Sequence, residues 1–257
     1  MTSVSGSGER ILAILDLFSE DCPNWTTEQM MEALGYSRPT LYRYLKTLKD
    51  AGFLASLPNY GYTLGPRVTE LDFLMRRSDP LIAESRPHLD RLARRHGAAV
   101  FVVRWYRRKL LCVASEDHSH EPRSSYPRGR PMPLGRGAIS RAIAAFLPSR
   151  ERNALIEEYL DEFTTLGIGT TREAVLNELK QVRREGVAMA WGEVTPGLIG
   201  IASPILAPDA SPIGAICLSK EARGTDDSEL LVIKDAILTT SLEISGRLDP
   251  ETKRQIA

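Results

Sequence analysis

Cysteine is scarce: Cys22, Cys112 and Cys217 are the only three in 257 residues, and no two stand in C-x-x-C spacing. That odd, scattered set excludes a disulfide framework and a zinc ribbon and favours a reducing compartment. No apolar run approaches the length needed to span a bilayer, and the opening MTSVSGSGER lacks the apolar core of a signal peptide. The expected setting is the cytoplasm, with no membrane partner. Catalytic signatures are missing too. There is no G-x-S-x-G, no phosphate loop, no H-E-x-x-H and no dinucleotide fingerprint, so no cofactor is expected. Residues 1–66 lack a basic surplus, with five cations against seven anions, a net of −2.

That small net charge hides a segregation. Four of the five cations lie between Arg38 and Lys49, inside the stretch YSRPTLYRYLKTLKDAG that runs from Tyr36 to Gly52. Leu41, Tyr44, Leu45 and Leu48 recur at helical spacing and predict a buried face. The opposite side carries Tyr36, Pro39, Thr40, Arg43, Lys46 and Thr47. Ser37 is placed to cap the helix, Pro39 is tolerated in its first turn, and Gly52 stops it. Such a face suits DNA: Arg43 forks onto a guanine edge, Thr40 touches a thymine methyl or a phosphate, and Lys46 meets a phosphate. A solvated helix face has the same composition, so the neighbours decide.

Upstream, Glu9–Glu20 carries Ile11, Ile14, Leu15 and Phe18 on one helical face. A short helix follows over Thr27–Leu34, capped by Thr26 or Thr27 and turned by Gly35. Downstream, Phe53–Ala55 and Tyr60–Leu64 read as a hairpin. Three helices and a hairpin make a winged helix-turn-helix, with the third helix in the major groove. Residues 67–78 read as a linker helix bearing Val68, Leu71, Phe73, Leu74 and Met75. Beyond Asp79 the pattern gives an amphipathic helix (Leu81–His96), two strands joined at Arg107, Arg108 and Lys109, and a polar loop from Asp117 to Arg130. Helices near 137–146, 150–159 and 171–184, strands at 187–191, 198–206 and 213–219, and a final helix from Asp226 complete it. The expected class is α+β, with a mainly antiparallel sheet and helices at its sides. Domain bounds of 1–66, 67–78 and 79–250 follow, with a tail at 251–257.

Several motifs in the right order carry a family resemblance. They are ERILAILDLF, the helix-turn-helix through S-R-P-T-L-Y-R-Y-L, then G-F-L and Y-x-L-G-P-R. GRPMPLGRGAISRAIAAFLP and REGVAMAWGEVTPGLIGIASPI follow in the second half. Together they resemble the isocitrate lyase regulator (IclR) family of bacterial transcription factors over nearly the whole chain. The resemblance implies double-stranded DNA at a pseudopalindromic operator and a homodimer or tetramer. It also implies a GAF-like C-terminal effector domain that binds a small organic acid. By this likeness Tyr36, Ser37, Arg38, Pro39, Thr40, Tyr42, Arg43 and Lys46 are the DNA-binding set.

The family's pocket positions fall on Arg136, Gly137, Ala190, Gly200, Cys217 and Ser219, with Gly135 and Trp191 beside them. The chain departs from the family pattern here. Ala190 stands where Asp or Ser is usual, Gly200 where Cys, Ser or Ala is usual, and Gly135, Arg136, Gly137 and Arg141 replace the family's His, Ala, Thr and Lys. Glu193 is kept. Two readings stand: a pocket that has drifted, or one enlarged for a bulky or aromatic acid, with Arg136 forking onto its carboxylate and Trp191 or Tyr126 packing beside it. The cluster Asp117, His118, His120 and Glu121 is read as a solvated loop rather than a metal site. A different class also stays open, an enzyme or carrier using the C-terminal pocket.

Overall fold

The computed structural model describes residues 6–58, 60–119 and 127–248. The chain forms two compact units that meet in sequence at Ser78 and Asp79. The first holds α1 (Ser7–Leu15), α2 (Thr27–Leu34), α3 (Arg38–Asp50), β1 (Leu54–Leu57), β2 (Gly61–Leu64) and α4 (Pro66–Ser78). Local chemistry sets the boundaries. At α2 the Thr26 hydroxyl accepts from the Gln29 N–H at 3.2 Å, and the Gln29 side-chain oxygen accepts from the Thr26 N–H at 2.9 Å. Gly35 closes that helix at φ +67°. Ser37 occupies the cap of α3, yet its hydroxyl donates to the Thr40 hydroxyl at 2.9 Å and leaves the helix N–H groups alone.

The predicted inner face of α3 is buried. Leu41, Tyr44, Leu45 and Leu48 pack with Ile14, Met30 and Leu54 into one core. Helix α1 is shorter than Glu9–Glu20: past Leu15 the chain folds back, and the Leu17 carbonyl accepts the Trp25 indole N–H at 3.0 Å. Trp25 also pairs with Tyr62 through a single antiparallel bridge beside the β1–β2 hairpin. Gly61, at φ +81°, permits that approach, because a Cβ there would lie 2.3 Å from the Trp25 carbonyl oxygen.

The second unit runs α5 (Pro80–His96), β3 (Ala99–Tyr106), β4 (Lys109–Asp117), β5 (Pro131–Met132), α6 (Ala138–Ala144), α7 (Ser149–Glu158), α8 (Leu160–Thr165), α9 (Arg172–Glu185), β6 (Ala188–Trp191), β7 (Leu198–Leu206), β8 (Pro212–Glu221) and α10 (Asp227–Leu248). Its six strands form an antiparallel sheet in the order β5-β4-β3-β8-β7-β6. Arg107 and Arg108 both have positive φ, at 44° and 60°, which matches a tight two-residue hairpin to the strand twist. Because side chains alternate, Phe101 and Val103 face the α6–α9 layer while Val100 and Val102 face α5 and α10. Both faces of the sheet are therefore core, and its strands are apolar almost throughout. No helix among the described residues is long and apolar enough to cross a membrane.

His88 of α5 is a buried imidazole beside α10. Its Nδ1 accepts from Arg91 at 2.9 Å and lies 3.6 Å from a Glu243 oxygen. Burial first, then the Arg91 charge, holds its pKa below the ordinary histidine value. In the window between the two pKa values the unfolded chain binds a proton that the native state does not, so stability rises with pH there. This stabilisation is complete above about pH 6.5 and lost as pH falls through the native value. We predict a falling thermal midpoint on acidification in that window. His88→Gln should flatten the fall, measured by calorimetry at fixed ionic strength; an identical slope in the variant would remove His88 as its cause.

Candidate nucleic-acid interface and effector cavity

On α3 the side opposite the core is a connected outer surface. Ser37, Arg38, Pro39, Tyr42, Arg43 and Lys46 are exposed and Thr40 is half-buried. Arg38 reaches Glu28 at 3.4 Å, a contact between two well-exposed side chains that water screens and a phosphate readily replaces. The Arg43 guanidinium lies over the Tyr44 ring, 5.1 Å from its centroid, and so is aimed rather than free to sweep. Tyr36 behaves differently from its predicted outward place. Its ring packs edge-on to Tyr44 at 6.1 Å, its hydroxyl donates to the Arg10 carbonyl at 3.3 Å, and Arg10 sits 5.8 Å from its centroid. It joins α1 to the start of α3, a tertiary contact that helical periodicity alone does not reveal.

In the second unit, strand register creates a hollow. Ala190 pairs with Gly200, Gly200 with Ser219, and Ser219 with Ala99, a row of small side chains across four strands. The next row on that face is Ala188, Ala202, Cys217 and Phe101. Helix α6 lies above, and the missing side-chain volume between them stays empty. The cavity offers about 50 Å³ to the centre of a water molecule and about 500 Å³ of empty space when its mouth is counted. Arg136, Gly137, Ala190, Gly200, Cys217 and Ser219 all line it. So do Phe101, Met132, Pro133, Ala138, Ile139, Glu193, Val194, Thr195 and Leu198. Nothing local in the sequence marks these as lining residues, because which strand faces turn toward α6 is set by the sheet's long-range pairing.

Two expected lining residues lie elsewhere. Trp191 is one residue from Ala190 on β6, so its ring points to the opposite face of the sheet, where it is 50% exposed. Gly135 leaves room for the protein itself: a Cβ there would sit 1.9 Å from Glu162 Oε2 and 2.7 Å from the Tyr159 ring. Tyr126, His120 and Glu121 lie outside the described residues. His118 Nε2 stands 3.2 Å from Asp90, and Asp117 accepts from the Ser119 N–H at 2.9 Å.

Polar groups at the cavity differ sharply in how far they are already used. Arg136 Nε lies 3.1 Å from Glu162 Oε1, and its side chain is half-exposed at the mouth. Glu193 accepts from Arg141 Nη1, Arg141 Nη2 and the Gly137 N–H, each at 2.8 Å. Arg141 also donates to the Met189 carbonyl and is nearly fully buried. Ser219 is buried, and its hydroxyl makes no hydrogen bond among the described residues. Burial pushes the Cys112 thiol up to about 11 and raises that of Cys217 further. Both sulfurs are packing groups rather than nucleophiles.

Residues 75–246 match the bacterial transcriptional regulator IclR C-terminal domain, and residues 7–58 match the IclR helix-turn-helix domain. The chain belongs to the IclR family. It is a transcriptional regulator, with the family's DNA-binding helix-turn-helix ahead of its α/β domain. Among relatives of this IclR protein, the transcriptional regulator XynR of Escherichia coli is 29% identical over 245 residues, 94% of this chain and 96% of XynR. A putative IclR regulator from Silicibacter superposes with a TM-score of 0.80 at 21% identity, covering 96% of this chain and 99% of that one. An IclR homologue from Microbacterium hydrocarbonoxydans in complex with 4-hydroxybenzoate gives 0.72 at 18% identity, covering 95% and 99%.

Proposed function

We propose that this regulator reads a pseudopalindromic operator with the outer face of α3 and changes its hold on that DNA when a bulky or aromatic carboxylate fills the α6 cavity. Catabolic genes for such an acid are the expected targets. The observation that carries the ligand class is the four-strand row of small residues under α6, a largely apolar floor where the Ser219 hydroxyl makes no hydrogen bond among the described residues, with a guanidinium, Arg136, at the mouth. An apolar hollow with a few convergent polar groups is the usual form of a small-molecule site. The 4-hydroxybenzoate bound by the Microbacterium homologue is an acid of this kind. A cavity that performs chemistry would need a reactive group, and here burial holds the Cys217 thiol protonated while Glu193 is spent on Arg141 and Gly137.

Arg43 and Lys46 test the DNA half of the proposal. Arg43→Ala should cost about 1 to 3 kcal/mol at one base position and relax specificity there. Lys46→Ala should weaken all sequences alike and lower the dependence of log K on log salt by about one ion. Fluorescence anisotropy with cognate and single-substituted duplexes at several salt concentrations separates the two. An Arg43 variant that still discriminates as the unaltered protein does would shift base readout to another residue.

A further inference from the structure

The β6–β7 loop, residues 192–197, walls one side of the cavity with Val194 and Thr195. Glycines in left-handed conformation stand at both ends, Gly192 at φ +64° and Gly197 at φ +81°, and the Gly192 N–H closes the base of the loop on the Leu198 carbonyl at 2.7 Å. Glu193, the first residue inside, reaches across to α6 and spends both carboxylate oxygens there, on the Arg141 fork and the Gly137 N–H. A Cβ on Gly137 would lie 2.8 Å from Val194 Cγ2, so the loop also rests directly on the start of α6.

From this geometry we infer that Glu193 and Arg141 form a latch, and that the loop is the cavity's lid. Glu193 is a positioning residue: its oxygens are filled by protein donors, so it holds Val194 and Thr195 against the cavity and leaves ligand contact to them. Arg141 suits this role because it ties two neighbouring segments at once, donating to Glu193 in the loop and to the Met189 carbonyl on β6. With 4% and 12% of their side chains exposed, the pair works where water does not weaken it. Glycine at each end allows the loop to swing as one piece when the pair parts.

Hydrogen exchange of the full-length, ligand-free protein tests the latch without reference to any effector. Glu193→Gln keeps the side-chain size but removes the carboxylate charge and turns one of its two acceptor oxygens into an NH2 donor that cannot receive from Arg141 or the Gly137 N–H. Amides of residues 192–198 should then exchange about 10- to 100-fold faster, while those in β3 and β8 stay as before. Arg141→Lys keeps the charge, loses the fork, and should give a smaller increase in the same amides; it carries the test if the Gln variant does not fold. Unchanged exchange at 192–198, in whichever variant retains native exchange in β3 and β8, overturns the latch.

A second arm rests on the effector reading above and uses 4-hydroxybenzoate as the probe in stopped flow. A weakened latch should raise association and dissociation rates together, with little change in Kd. A loss of affinity confined to faster dissociation would make Glu193 a ligand contact and overturn its positioning role. Should the acid not bind even the unaltered protein, the effector reading fails while the exchange result still decides the latch.

Discussion

Leu71→Glu combined with Leu74→Glu should turn a dimer into monomers and lower affinity for the specific DNA site by about 10³-fold or more, down to nonspecific binding. Helix α4 has no buried residue, and Val68, Leu71, Phe73, Leu74 and Met75 are each 37% to 58% exposed. A 13-residue helix is marginal in water by itself, and an exposed apolar surface of this size marks an interaction face. We propose that two copies pair through it. With a net charge of −2 over residues 1–66, one domain has little electrostatic grip, so two half-sites must be summed. Equilibrium sedimentation and anisotropy on the same samples measure both effects. A double variant that stays dimeric, or a monomer that keeps full operator affinity, would move the interface off α4.

The second large effect falls on the effector. Arg136→Ala should weaken an aromatic acid by about 10- to 100-fold, the worth of a charge-assisted hydrogen bond. Arg136→Lys should recover only part of it, because an ammonium cannot fork. The Glu162 contact sharpens this expectation. With Nε facing Glu162 at 3.1 Å, the guanidinium is oriented at the mouth and its charge is partly neutralised. Removing that competing carboxylate in Glu162→Gln should strengthen acid binding severalfold. Calorimetry with the acid and its neutral amide is the measurement, and only the acid should respond. If Arg136→Ala leaves both affinities unchanged, the anchor passes to Ser219 and nearby backbone N–H groups.

Local chemistry was the legible part of this molecule. The buried side of α3 followed from four apolar residues at helical spacing, and Gly35 and Thr26, one of the two threonines that could cap α2, mark helix ends that depend on one residue each. The sheet's antiparallel character could be read from hairpin signals such as Arg107–Arg108. Its register could not, because pairing Ala190 with Gly200 and Gly200 with Ser219 is a long-range choice. Trp191 and Gly135 show what that hides: the first is one residue out of phase with the cavity, and the second yields its space to Glu162. Strand β5 has only two residues, too few to show alternation. The Arg141–Glu193 pair joins side chains 52 residues apart, and either one alone reads as an ordinary surface charge.

Whether acid in the α6 cavity alters DNA binding by α3 is decided by one titration. Operator affinity of the intact protein is measured across a series of aromatic acid concentrations, alongside Arg136→Ala. The acid should shift operator affinity, and Arg136→Ala should need about 10 to 100 times more acid for the same shift, while its acid-free DNA affinity is unaltered. An acid that binds the protein yet leaves operator affinity constant, or an acid response indifferent to Arg136→Ala, would contradict this expectation.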